Sequence, residues 1–176
     1  MLGTRVIMLG MSQFPGSNNE QNDAEVICAA NHNIPFFWLL LFTPSDIQLF
    51  ETQGIGQESL DSSGVQHYPV LLTERSVAIK RLSELRKTLS PLMSDSDSQL
   101  LDRWMDFLQH NSSPVIAVDT YELWNNMAEP EKLQQELTAL LEGFNPGDFK
   151  PETLQKLKAS AHWQENNAIS LAGFGW

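Results

Sequence analysis

Apolar residues in this chain fall into one dense run and a series of short or periodic ones. The dense run is Ile34-Pro-Phe-Phe-Trp-Leu-Leu-Leu-Phe42, continued after Thr43-Pro44 by Ser45-Asp-Ile-Gln-Leu-Phe50. Full burial of one large apolar side chain is worth roughly 1.5–3 kcal/mol. The run therefore belongs at the centre of the core, with Phe37, Trp38, Leu40 and Leu41 buried. Its about nine apolar residues fall well short of the roughly 20 that span a bilayer, so it is not a transmembrane helix. Pro35 suits the first turn of a helix, where its missing N–H is not needed. Pro44 ends that helix and opens a second one through Phe50.

Elsewhere the spacing separates helices from strands. Ala78, Leu82, Leu85 and Leu89 recur on one helical face, with Thr73 as N-cap and Glu74 in the first turn. Ser94 to Ser98 caps a helix with Leu100, Leu101, Trp104, Met105 and Leu108 inward and Asp102 and Asp106 opposite. Leu133, Leu137, Leu140 and Leu141 predict a helix over Glu131–Glu142, with Gly143 as a left-handed stop. Pro151 opens a final helix with Leu154, Leu157 and Ala161 inward. Asp119 is placed to cap a helix containing Tyr121, Leu123 and Trp124. Asp23 is placed to cap a short helix through residues 24–30, and a strand over Val26–Ala29 is the competing reading.

Short apolar runs predict strands at 4–9, 69–72, 115–118 and 168–172, with Pro69 confined to a first position or an edge. Residues 10–22 and 51–67 read as loops, and Asn145-Pro-Gly147 as a turn. The pattern predicts an α/β (or α+β) fold. A small central sheet of about four short strands is covered by several helices, in one domain over residues 1–176. Sheet polarity does not follow from the sequence.

Charge changes the picture more than any motif. The 22 acids against 11 bases give a formal charge of −11, which disfavours nucleic acid and anionic membranes and favours a basic protein partner. Arg75, Lys80, Arg81, Arg86 and Lys87 lie on one predicted helix, whereas residues 88–148 hold eleven acids against Arg103 and Lys132. A single cysteine, Cys28, excludes an internal disulfide and fits a reducing compartment. Residues 1–30 lack the basic and apolar regions of a signal peptide, so cytoplasmic residence is expected.

Candidate chemistry is sparse. Asp119-Thr-Tyr-Glu122 follows a predicted strand, where ligands often sit in open sheets, but helix capping explains the same residues. His32, His67, His110 and His162 have no metal spacing, and Asp106 with His110 is an ordinary i,i+4 contact. Cys28 lies in an apolar context that suits an inert thiol. Gly54-Ile-Gly56 lacks the later glycine and lysine of a phosphate loop, and Ser12 and Ser17 lie in no nucleophile elbow. No cofactor or metal is expected, and a binding role is favoured over an enzyme.

The expected partner surface is Asp95, Asp97, Asp102, Asp106, Asp119, Glu122 and Glu129, with Tyr121 and Trp124 as exposed aromatic anchors. The alternative is a small hydrolase or transferase using Asp119 and Glu122 as an acid/base pair.

Asn33-Ile-Pro-Phe36 and Ala168-Ile-Ser-Leu-Ala-Gly173 look similar to stretches of small bacterial proteins of unknown function. In size, acidity and character the whole chain resembles the bacterial immunity proteins that neutralise secreted toxins. The resemblance implies stoichiometric binding of a cognate toxin that blocks its active site or its access to substrate. It assigns no individual residue.

Overall fold

Two hairpins flank one later strand to make the sheet. The computed structural model describes residues 4–16, 23–53, 65–159 and 164–176. The strands are β1 (Arg5–Met11), β2 (Ala24–Asn31), β3 (Ile47–Gln53), β4 (Val65–Glu74) and β5 (Val115–Asp119). They lie in the order β2-β1-β5-β4-β3, and every neighbouring pair is antiparallel. The helices are α1 (Phe36–Leu39), α2 (Arg75–Leu89), α3 (Asp95–His110), α4 (Tyr121–Asn126), α5 (Leu133–Glu142), α6 (Pro151–Lys158) and α7 (Ala168–Ala172). The mixed helix-and-sheet class expected from the sequence is the class observed. Among the described residues no helix is long and apolar enough to cross a membrane.

β5 shows why a short apolar run reads as continuous rather than alternating. Ile116 and Val118 point into the main core, while Val115 and Ala117 point to the opposite face, and all four are buried. A strand covered on both faces has no polar side to display. The main core gathers Val6, Met8, Leu71, the inward stripes of α2, α3, α5 and α6, and the run Ile34–Phe42. Every residue of that run except Pro35 belongs to this core and is at most 1% exposed. Phe36 meets Phe144 edge-on at 5.6 Å, and Phe37 lies 5.8 Å from Trp104.

Tertiary pairing overrides several local expectations. The central helix is a single turn, α1, and the expected second helix is a 3-10 turn over Pro44–Asp46 that leads into β3. Asp46 closes that turn by accepting from Thr43 N and Oγ1 through Oδ2 (2.7 and 2.9 Å). The chain beyond it pairs along β4, so part of the expected loop 51–67 is strand; residues 54–64 lie outside the described residues. Residues 24–30 form β2 rather than a helix, because β1 supplies a full antiparallel partner.

Residues 168–172 form α7, not a strand. Asn167 Oδ1 accepts from Ile169 N and Ser170 N, both at 3.1 Å, and so caps its first turn. Pro69 lies inside β4, between two strands. Its carbonyl accepts from Thr120 Oγ1 just past the end of β5, so the missing N–H falls where no strand partner remains.

The caps also shift by a residue. Thr73 is a buried strand residue and Glu74 is the N-cap of α2. Thr120 occupies the N-cap of α4, while Asp119 Oδ1 accepts from Tyr121 N at 2.9 Å. Gly143 ends α5 with φ −73°, so it is no left-handed stop. A Cβ there would collide with Thr153, so close approach to α6 requires the glycine.

Candidate partner-binding surface

α3 is amphipathic because apolar residues follow the helical period, and Ser94 starts it by accepting from Asp97 N at 3.1 Å. Asp95 is exposed in the first turn, where a carboxylate suits the helix dipole. Asp97 is 1% exposed. Its Oδ1 accepts from Asn166 N at 3.0 Å, which ties α3 to the chain entering α7. Asp97 is therefore an internal clamp and not a rim carboxylate. Asp102 forms a two-pronged pair with Arg86 of α2: Nη2 meets Oδ2 at 2.7 Å and Nε meets Oδ1. The hydrogen bond from Arg86 holds the Asp102 carboxyl below its ordinary value and raises the guanidinium. Asp106 is exposed, with His110 Nδ1 3.6 Å from its Oδ1.

The second group sits where β5 runs into α4. Tyr121 stacks edge-on against Tyr68 at 5.2 Å, and Trp124 lies 6.0 Å from both tyrosine rings. Trp124 is 8% exposed and Tyr121 half-buried, so the expected exposed anchors are instead core aromatics at the sheet end. Burial pushes the Tyr68 hydroxyl up to about 12, with Asp119 and then Tyr121 adding to the shift. Glu122 Oε2 accepts from Arg5 N at 2.7 Å. Asp119 and Glu122 thus each serve a backbone amide. Glu129 is exposed and pairs with Lys132 one turn on.

These residues do not form one patch. α3 packs against α2 and α7, whereas α4 packs against β1 and β4. The acids of α5 and of the 3-10 turn Pro130–Lys132 before it are not among the expected site residues. Burial of Leu133, Leu137 and Leu141 turns Glu131, Glu136 and Glu142 outward, and all three are exposed. The leucine stripe was the signal for this, since the side opposite an apolar face must be solvated.

The arginines of α2 behave in the opposite way. Arg75 donates to the carbonyls of Ser113 (2.9 Å) and Gln109 (3.1 Å). Arg81 reaches Asp46 Oδ2 (2.6 Å) and the Leu41 carbonyl (3.2 Å). With Arg86 held by Asp102, the helix that looked like a basic patch is a row of struts. Its three arginines bond within the fold, while Lys80 and Lys87 are exposed.

Among the described residues no group of three or more His, Cys, Asp or Glu is arranged to hold a metal ion. Cys28 is buried, which pushes its thiol up. A cleft of about 430 Å³ at the start of α2 is lined by Ser12, Phe14, Glu74, Arg75 and Val115 among others, and none of the expected site residues lines it. No family model, curated protein or solved structure matches the chain.

Proposed function

We propose that this chain is a non-catalytic binding protein that engages a basic protein surface. In the manner of an immunity protein, it occludes a cognate toxin one-to-one in the cytoplasm. One observation carries the reading. Between residues 88 and 148 every acid except Asp97 and Asp119 is exposed. The arginines of α2, meanwhile, bond inward or to Asp102. A predominantly negative surface steers a positively charged partner and disfavours like-charged ones.

The test is co-purification with a basic toxin domain encoded beside the gene, followed by association rates of two charge-reversal sets. One set is Asp95→Lys with Asp106→Lys on α3; the other is Glu131→Lys just before α5 with Glu136→Lys and Glu142→Lys on it. The set facing the partner slows association by roughly tenfold or more at low salt, and the difference shrinks as salt rises. Association rates unchanged by both sets would remove the acidic surface from the account.

A further inference from the structure

We draw no further inference here: the strongest candidate, the cleft of about 190 Å³ between Asn31, His32 and Asn33 at the end of β2 and Gln164, Asn167 and Ser170 around the start of α7, is walled by side chains that would suit many neutral ligands alike, and nothing in the structure shows which of them fills it.

Discussion

Leu71 and Leu72 are consecutive on β4 and both buried, yet they belong to different cores. Leu71 faces the side where α1, α2, α3, α5 and α6 close over the sheet. Leu72 faces a cluster of Met11, Val70, Val115 and Ala117, against which the partly buried Leu9, Phe14, Phe50 and Tyr68 pack. One core is held by side chains from most of the chain; the other has a lid of half-exposed rings. The difference lies in how far each side can relax when something is removed. A void deep among Trp38, Trp104 and Phe144 cannot collapse without moving several helices, whereas partly exposed rings can settle into a gap.

The largest expected effect follows directly. Leu71→Ala should cost about 4–5 kcal/mol and Leu72→Ala about 2–3 kcal/mol, the two ends of the range for buried leucines. Urea unfolding of both variants checks this. Equal losses would mean that the second face is as tightly enclosed as the first.

A smaller contrast of the same kind runs along α2. The Arg81–Asp46 pair is 19% and 12% exposed, and the Arg86–Asp102 pair is 38% and 45% exposed. Arg81→Ala also leaves the Leu41 carbonyl short of a donor, so about 1–3 kcal/mol is expected. Arg86→Ala should cost only about 0.2–1 kcal/mol, since solvent screens an exposed pair. If Arg86→Ala were the more damaging, the strut reading of Arg81 would fail.

The smallest effect is one of pH. Asp102 is held below its ordinary value by Arg86, so its contribution is present above the ordinary carboxylate range, about pH 4. It is lost as pH falls through the depressed value. Asp102→Asn should therefore be slightly less stable than wild type at pH 7, with the two converging in acid. A gap that widens below pH 4 would contradict that sign.

Legibility followed the length and regularity of each pattern. Ala78, Leu82, Leu85 and Leu89 span more than three turns, and all four are buried as expected. Ala168–Ala172 is too short to show a period, so its alternation imitated a strand while Asn167, the cap that decides it, lay just outside. Ala24–Asn31 carries a plausible cap and mixed propensities. It becomes a strand because Arg5–Met11 pairs with it, which no local pattern reports. At the candidate surface the exposed acids were visible as composition. The burial of Asp97 and Trp124 was not, because it depends on Asn166 and Tyr68, distant in sequence.

The strand order carries a consequence for how the chain is made. β1 and β2 lie close in sequence, as do β3 and β4, so each hairpin forms from local contacts. The strand that joins them is β5, which sets Met8 opposite Val118 and Leu71 opposite the same residue on its other side. On a ribosome, both hairpins are complete well before β5 emerges, and each waits with its edge toward β5 unpaired and its apolar residues uncovered. Long-range pairing of this sort slows folding and lengthens exposure to misassembly. The arrival of a five-residue strand is therefore the event on which the whole sheet waits.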